Sequence, residues 1–461
     1  MLELADRHDS GSCVCMHVGV QVPFPAPFKA VRLSCGFLRI INEGGGLMKE
    51  VYRRIEALAD EGSIHYIEKN QSAVVVATAK IAEKPVVLAA FDPAKKGGAL
   101  GYFEGASLVR AIHLAGEGGA PLVLLSQSAG ADMVGGQLSL SGAGSVFSAL
   151  KALDTPRLYL SYGPSIGAAA YMAGLCDVVL AVEGASAFCL TGPKIVARAI
   201  YEETNLAAMG GAKAVAERGG IHLLSDSEEG MAEDCRSLMA FLRQKQATSA
   251  SGGEDPATGD MADIIRTIVD EGSAIYLWPQ WAQNATALLG RIGGVRVGIF
   301  ANNPEVAAGV LDKEAALKAA AFYNLCRRFR LPVISLADTP GFLPGTASEG
   351  EGVLRAGGAM IEAYFNHDEK KITVAVGNVL GGAYMAMGCR EMGASAYFAL
   401  NEAKIGVMGA DLAAEILHFD KENLASYRAM HLSAAAAQKN GLIDEILTAD
   451  ELRYKLREVL A

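Results

Sequence analysis

The sequence predicts an α/β protein built from two copies of one fold. The 461-residue chain repeats short segments in the same order, at an offset of about 211 positions. The segment DEGS at 60–63 returns at 270–273, and the strand-like PLVLLS at 121–126 is echoed by PVISLA at 332–337. GPSIGAAAYMAGLC, from Gly163, is echoed by GNVLGGAYMAMGC, from Gly377. Colinear echoes of this kind indicate a tandem duplication, and each half serves as a control for the other.

Helix and strand patterns alternate in the same order in both copies, which favours helices packed on a sheet. The first copy predicts helices at 49–60, 103–117 and 167–175, and strands at 73–80, 86–91, 121–126 and 157–162. The second predicts helices at 261–270, 313–330 and 381–389, and strands at 286–292, 295–301, 332–337 and 372–376. An amphipathic helix is predicted at 228–243.

The echoes also suggest domain boundaries. Residues 48–243 and 261–461 are expected to be the two domains, and the polar Gly/Pro/Ser-rich segment 244–260 has the composition of a linker. Residues 1–47 have no counterpart in the second copy. We expect them to be a disordered N-terminal extension, with Met48 the natural initiator.

Composition excludes several classes of function. The chain is 51% hydrophobic with a net charge of −10 and no Lys/Arg-rich run, which argues against nucleic acid as a partner. Eight scattered cysteines indicate reduced thiols and a cytoplasmic protein. They lack the paired spacing of a zinc site, so no metal is predicted. The uncharged stretch 372–389 is interpreted as a buried strand, turn and helix rather than a membrane span, because its twin contains Asp177.

Four glycine-rich turns are the candidate chemistry. The first turn of each copy follows a strand at 128–132 or 339–345, and the second follows the next strand at 163–169 or 377–383. A turn that enters a helix exposes unpaired main-chain N–H groups, and glycine or alanine lets a ligand approach them closely. Donors that converge on one point can stabilise an enolate or an oxyanion.

The second turn of the first copy also fits the G-x-S-x-G nucleophile elbow of serine hydrolases, with Ser165 as the nucleophile. The second copy tests this interpretation. Its turn keeps both glycines, at Gly377 and Gly381, but has Val379 where the serine would be. The main chain is therefore the shared element, and a hydrolase that uses Ser165 is the weaker hypothesis.

Several stretches resemble the carboxyltransferase (β) subunit of biotin-dependent acyl-CoA carboxylases, relatives of propionyl-CoA carboxylase. They are KGGALG at 96–101, ANNPEVAAGVLDKEAALKAAAFYNLC at 301–326, DTPGFLPGTASEGEG at 338–352, ITVAVGNVLGGAYMAMG at 372–388 and NEAKIGVMGADLAAEIL at 401–417. The resemblance covers roughly 48–440. It implies a tandem pair of crotonase (ClpP)-like ββα spiral domains.

The resemblance also implies a mechanism and a set of site residues. Carboxyl transfer places negative charge on a thioester enolate oxygen and on the biotin ureido oxygen, and two main-chain oxyanion holes would stabilise them. Which hole serves which oxygen stays open. The implied catalytic amides are those of Ala129, Gly130, Gly167, Gly382 and Ala383. The implied substrate-binding residues are Gly97, Gly98, Ser128, Ala131, Gly341, Tyr384 and Met385.

The chain departs from the family pattern around the acyl group. Ala129 stands where the family usually has glycine, Asp132 where it has arginine, and Met385 where propionyl-type enzymes have aspartate. The sequence therefore does not identify the acyl-CoA.

The resemblance implies biotin as cofactor and partners to carry it. No Met-Lys-Met biotin attachment segment occurs, so biotin is expected on a separate carrier protein and carboxylation by a separate biotin carboxylase subunit. The resemblance further implies a homo-oligomer, a dimer or trimer of dimers, with active sites at the dimer interface. Two alternatives stay open: the carboxyltransferase subunit of a malonyl- or glutaconyl-CoA type decarboxylase, and a non-catalytic scaffold.

Overall fold

The computed structural model describes residues 48–68, 72–243 and 260–461. We call 48–243 the N-half and 261–461 the C-half. The N-half elements are α1 Met48–Leu58, β1 His65–Glu68, β2 Val74–Ile81, β3 Lys84–Phe91, α2 Tyr102–Glu117, β4 Leu122–Ser128, α3 Gln137–Ala152, β5 Arg157–Ile166, α4 Ala168–Leu175, β6 Val178–Val182, β7 Ala187–Cys189, α5 Pro193–Ile200, α6 Leu206–Gly210, α7 Ala212–Ala216, β8 Leu223–Ser225 and α8 Glu228–Leu242.

The C-half follows the same plan. Its elements are α9 Met261–Ile268, β9 Ile275–Leu277, β10 Ala285–Ile292, β11 Val295–Asn302, α10 Lys313–Phe329, β12 Val333–Thr339, α11 Thr346–Glu351, α12 Val353–Phe365, β13 Lys371–Leu380, α13 Ala383–Ala386, β14 Ala396–Leu400, β15 Lys404–Gly406, α14 Ala410–Leu417, α15 Leu424–His431, α16 Ala434–Lys439, β16 Glu445–Leu447 and α17 Ala449–Leu460.

Each half contains one eight-stranded sheet, and the two sheets have the same topology. The N-half order is β1-β2-β3-β4-β5-β6-β8 with β7 beside β5, and the C-half order is the equivalent β9-β10-β11-β12-β13-β14-β16 with β15 beside β13. The first three strands of each sheet are antiparallel, and the strands from β3 or β11 onward are parallel. The predicted α/β duplication is therefore confirmed at the level of strand order.

The repeated DEGS segment has the same structural task in both halves. Asp60 accepts hydrogen bonds from Ala82 N (3.1 Å) and Glu83 N (2.6 Å) in the β2–β3 turn. Asp270 accepts from Gly293 N (2.8 Å) and Gly294 N (2.7 Å) in the β10–β11 turn. Each carboxylate thus satisfies the exposed donors of a tight hairpin, which explains why this segment recurs.

The halves share a hydrophobic core. One buried cluster contains residues of both, including Met231 and Leu238 of α8 together with Trp278, Trp281 and Phe322 of the C-half. Two further clusters each belong to a single half. The described residues of both halves accordingly belong to one compact unit.

A polar network crosses the same boundary. Asp177, which is largely buried, accepts hydrogen bonds from Arg157 Nη2 (2.6 Å) in the N-half and from Arg328 Nε (3.1 Å) in the C-half. Trp278 Nε1 donates to Gly219 O at 3.0 Å. Because these groups are paired on both sides, the boundary buries charge without leaving it unpartnered.

Most predicted elements occur within a few residues of their expected limits, with two differences. Strands β5 and β13 continue through Gly163 and Gly377 into the predicted turns. The helix predicted at 381–389 is only the single turn α13, because the chain leaves helical geometry at Gly388 (φ +102°). There the Tyr364 ring lies 2.2 Å from where a Cβ would be. The boundary at 244–260 stays a prediction, and residues 1–47, 69–71 and 244–259 lie outside the described residues.

A buried lysine stabilises the segment that connects β9 to β10 in the C-half. Lys318 on α10 is 2% exposed, and its Nζ donates to Ala285 O (2.7 Å), Trp281 O (2.8 Å) and Trp278 O (3.1 Å). Trp278 has a positive φ of 52°, which is unfavourable for a non-glycine residue. The Lys318 side chain therefore donates hydrogen bonds to the carbonyls of a segment whose backbone conformation at Trp278 is intrinsically unfavourable.

We expect Lys318→Met to lower the free energy of unfolding by roughly 3 kcal/mol or more, because several buried carbonyls lose their donor. Burial lowers the pKa of Lys318 to about 7 from 10.5. Between pH 7 and pH 10.5 the unfolded chain binds more protons than the folded protein, so the free energy of unfolding of wild type rises with pH. Met does not titrate, so the stability difference between wild type and Lys318→Met should widen over this range. Denaturant unfolding at several pH values measures this. Lys313→Met is the control, because Lys313 lies on the same helix with its side chain half-exposed. An equal loss of stability in Lys313→Met would contradict the prediction.

Candidate active site

The four glycine-rich turns lie at the carboxyl ends of paired parallel strands. In the N-half, Ser128 at the end of β4 pairs with Ser165 near the end of β5. In the C-half, Thr339 at the end of β12 pairs with Val379 near the end of β13. Parallel pairing brings the first and second turns of each half together at one edge of its sheet.

The N-half turns contact the glycine loop at 96–101. Ala129 N donates to Gly97 O at 3.0 Å, and Leu100 N donates to Gly130 O at 2.7 Å. Ala131 forms a β-bridge with Leu100. A Cβ on Gly98 would lie 2.2 Å from a main-chain oxygen of the first turn's strand, so only glycine fits there.

The second turn lies against the first. A Cβ on Gly130 would lie 3.4 Å from Ile166 O, next to Gly167. The structure therefore brings together the N-half residues that the sequence singled out, which are Gly97, Gly98, Ser128, Ala129, Gly130, Ala131 and Gly167.

Three of the predicted N-half amides already donate hydrogen bonds inside the chain. Besides the bond from Ala129 N, Gly130 N donates to Ser128 Oγ at 3.2 Å and Gly167 N donates to Cys189 O at 2.8 Å. Among the described residues, the next two amides, those of Ala168 and Ala169, have no acceptor. The catalytic role of Ala129, Gly130 and Gly167 stays a prediction, and Ala168 and Ala169 are the better-placed donors.

The sequence contained a signal for these two residues. The second-turn echo aligns Gly167-Ala168-Ala169 with Gly381-Gly382-Ala383. Carrying the C-half assignment through that alignment would have named Ala168 and Ala169.

The C-half turn leaves both of its predicted catalytic amides without an acceptor among the described residues, and their catalytic role stays a prediction. Gly381 N donates to Gly406 O at 2.9 Å, which ties the turn to β15. The amides of Gly382 and Ala383 have no acceptor within the described part of the chain. A Cβ on Gly341, in the first turn, would lie 3.3 Å from Leu380 O, so both C-half turns contact each other as in the N-half.

Tyr384 and Met385 follow the free amides. The Tyr384 ring stacks on Tyr397, with centroids 5.8 Å apart, and its hydroxyl donates to Glu391 Oε2 at 3.4 Å. Burial raises the pKa of Tyr384, so its hydroxyl stays protonated. Met385 is 47% exposed. Tyr384 therefore supports the turn, whereas the Met385 side chain is available to a ligand.

An ion pair bridges the mouth of the N-half site. Lys96 Nζ lies 2.7 Å from Asp132 Oδ2, and it lowers the pKa of that carboxyl. Lys96 is exposed and Asp132 is largely buried. The residue that replaces the family's usual arginine is thus a carboxylate with its own cation.

No hydrogen bond between described residues joins the N-half turns to the C-half turns. Hydrogen bonds between the described residues of the two halves involve Arg291, Arg296, Arg328 and Trp278, and none involves the turns. Each half thus presents its amides separately.

Comparison with known proteins identifies the family. The family described as "Carboxyl transferase domain" matches residues 49–449. The chain belongs to the carboxyl transferase domain family. A propionyl-CoA carboxylase carboxyltransferase subunit from Haloferax mediterranei is 30% identical over 417 residues, covering 83% of this chain and 81% of that protein. A methylmalonyl-CoA decarboxylase subunit alpha from Veillonella parvula is 31% identical over 392 residues, covering 79% and 77%.

A solved structure of transcarboxylase 12S, a hexamer with methylmalonyl-CoA and methylmalonic acid bound, matches with a TM-score of 0.83 and 29% identity. The match covers 89% of this chain and 88% of that one. The tandem crotonase-like fold and the carboxyltransferase resemblance are therefore confirmed. Among the described residues of this carboxyltransferase, no helix is long and apolar enough to cross a membrane.

The structure disfavours Ser165 as a nucleophile in this carboxyltransferase. Ser165 is fully buried, and its Oγ accepts a hydrogen bond from Tyr159 OH at 2.9 Å. Tyr159 OH also lies 2.6 Å from Ser126 Oγ. No histidine bonds to Ser165 among the described residues, so the base that a serine nucleophile needs is absent from that part of the chain.

We expect Ser165→Ala to keep carboxyl transfer within about threefold of wild type, and to lower stability by about 1 kcal/mol through one lost buried hydrogen bond. Steady-state transfer rates and thermal unfolding measure the two effects. A rate loss of a hundredfold or more in a folded variant would instead support the nucleophile hypothesis.

Proposed function

We propose that this chain is the carboxyltransferase component of a biotin-dependent acyl-CoA carboxylase. It would move a carboxyl group between carboxybiotin and the α-carbon of an acyl-CoA. The observation that carries the proposal is a pair of amides, at Gly382 and Ala383, with no acceptor among the described residues, in a chain of the carboxyltransferase family. Ala168 and Ala169 form the equivalent pair in the N-half.

The chemistry depends on those amides. Removing the α-proton of a thioester places negative charge on its carbonyl oxygen, and two fixed N–H donors stabilise that charge without reorganising at the moment of reaction. The ureido oxygen of biotin requires the same kind of donor, so one amide pair fits each reactant. Biotin supplies the carboxyl group and, after giving it up, a nitrogen that can take the α-proton. No side-chain base is then required of this chain.

Assembly completes the site in this proposal. Because the two amide pairs are not joined within one chain, we infer that the N-half of one protomer faces the C-half of a partner. Transcarboxylase 12S forms a hexamer, and we propose a homo-oligomer of dimers here. We place the enzyme in the cytoplasm, with biotin on a separate carrier protein that a separate biotin carboxylase subunit loads.

The reverse direction is the second candidate, favoured by the 31% identity to a methylmalonyl-CoA decarboxylase subunit. The amides would serve equally well, since both directions pass through the same charged oxygens. The N-half turn with Asp132 and the exposed Met385 would select the acyl group in either direction.

We expect purified protein to transfer label from carboxylated biotin carrier protein to at least one member of an acyl-CoA panel containing acetyl-, propionyl-, butyryl- and longer-chain CoA esters. The same panel in carboxylated form, with unloaded carrier as acceptor, tests the reverse direction. Formation of labelled acid in neither direction would contradict the proposed function and favour the scaffold alternative.

We expect Ala383→Pro to lower kcat by about a hundredfold to a thousandfold, on the order of 3 kcal/mol in the barrier, because one oxyanion donor is lost. Position 383 is the first residue of α13, so proline breaks no intrahelical hydrogen bond there. Gly382 has helical φ and ψ (−60° and −19°), which a following proline disfavours, so circular dichroism must show a wild-type fold for the variant. Ala449→Pro makes the same change at the first residue of α17 and is the matched control. Near-wild-type turnover of folded Ala383→Pro, or an equal loss in Ala449→Pro, would argue against the assigned role.

A further inference from the structure

Each half carries an irregularity in the strand that leads to its second turn. In the C-half, Ala337 pairs with Ala375 but Thr339 pairs with Val379, so β13 has extra residues opposite Asp338. In the N-half, Ser126 pairs with Ser161 and Ser128 pairs with Ser165, which leaves extra residues of β5 opposite Gln127. A bulge of this kind bends the strand and redirects the chain beyond it.

One polar side chain fills each bulge. A Cβ built on Gly377 would lie 2.3 Å from Asp338 Oδ1 and Cγ. A Cβ built on Gly163 would lie 2.9 Å from Gln127 Cδ. The glycine makes room in both halves, and the side chain from the neighbouring strand occupies that room.

Hydrogen bonds hold the two side chains in place, by different means. Asp338 Oδ1 accepts from Asn378 N at 2.8 Å, and Asp338 N donates to Asn302 Oδ1 at 3.1 Å. Gln127 Oε1 accepts from Arg54 Nη1 at 2.8 Å. Arg54 is 6% exposed, bonds to Glu228 and stacks on the Tyr162 ring. Gln127, in the N-half bulge, is thus held by a buried cation, whereas Asp338, in the C-half bulge, is itself an acid.

The path of β13 after its bulge sets the direction of the Gly382 and Ala383 amides. After the bulge, β13 pairs with β15 from Asn378 to Leu380, and Gly381 N then bonds to Gly406 O at 2.9 Å. The next two amides are those of Gly382 and Ala383. Their direction therefore depends on the position at which β13 rejoins the sheet after the bulge. A displacement of a catalytic group by about 1 Å can lower the rate a hundredfold.

We propose that Asp338 and Gln127 are positioning residues for carboxyl transfer, each setting the direction of the amide turn that comes after its bulge. This inference rests on the proposed function. It adds that the direction of the C-half turn depends on the ionisation of Asp338. Gln127 does not ionise, so its support of the N-half turn does not change with pH.

The surroundings of Asp338 give the sign of the pH effect. Burial raises the pKa of Asp338, while the Asn378 hydrogen bonds and Lys404 on β15 oppose that rise. As pH falls through this raised pKa the carboxylate becomes protonated and loses acceptor capacity toward Asn378. Transfer should then decline on the acid side.

The free energy of unfolding should change with pH in the opposite direction to the transfer rate. Because the folded-state pKa of Asp338 is raised, the stability associated with its neutral form is fully present below the unfolded-state pKa and is lost as pH rises through the folded-state pKa. Asp338→Asn should therefore be at least as stable as wild type at pH 8. A residue with a purely structural role would lose stability when replaced.

The test compares Asp338→Ala, Asp338→Asn and Gln127→Ala, with Asp368→Asn as an exposed control. Rates use carboxylated biotin carrier protein and the best acyl-CoA for wild type, from the lowest pH at which wild type stays folded up to pH 8. We expect kcat to fall at least tenfold in Asp338→Ala and Gln127→Ala with KM changed less than threefold. Asp338→Asn has a single acceptor oxygen, like the protonated acid. It should therefore keep at every pH the lower kcat that wild type reaches at acid pH, without the acid-side decline that Gln127→Ala should keep.

Hydrogen–deuterium exchange of the peptide 376–387 decides the inference independently of activity. We expect faster exchange in Asp338→Ala, a smaller increase in Asp338→Asn, and wild-type exchange in Asp368→Asn. Unchanged exchange in Asp338→Ala, wild-type kcat in that variant, or an acid-side decline retained by Asp338→Asn would each overturn the inference. An inactive wild type would contradict the proposed function instead, and exchange would still decide the positioning role.

Discussion

The parallel pairing of β4 with β5, and of β12 with β13, is the constraint on which the rest of this structure depends. Only parallel neighbours end at the same edge of a sheet, and only there can two consecutive turns meet. The glycines at those turns are a result of the pairing, because main chain from one strand end approaches main chain from the other. Gly130 and Gly341, whose added Cβ atoms would lie 3.4 Å from Ile166 O and 3.3 Å from Leu380 O, show the same close approach in both halves.

The sequence predicted the architecture well because the duplication supplied an internal comparison. Strand order, the helices between strands and the location of the turns all correspond to patterns that occur twice. The recurrence of Asp60 as Asp270 could be noticed from sequence, but its cause could not. That cause is a hydrogen-bonded hairpin turn formed by residues more than twenty positions away.

The candidate site was predicted less completely, and the reason is physical. Whether an amide is available depends on which carbonyl lies opposite it, and for Ala129 and Gly167 those carbonyls belong to Gly97 and Cys189. Such partners come from distant parts of the chain and leave no mark in the local sequence. The amides of Gly382 and Ala383 lie in the turn that the sequence indicated, whereas their twins Ala168 and Ala169 required the alignment of the two halves.

The shared hydrophobic cluster has a consequence for the history of this chain. Met231 and Leu238 belong to the same buried cluster as Trp278 and Phe322, so each copy has one hydrophobic cluster of its own and shares a third with the other copy. Recombination that exchanges one copy for a homologue must then preserve the surface on which the other copy rests. The two copies can diverge at the turns, while the residues of the shared cluster constrain each other's replacement.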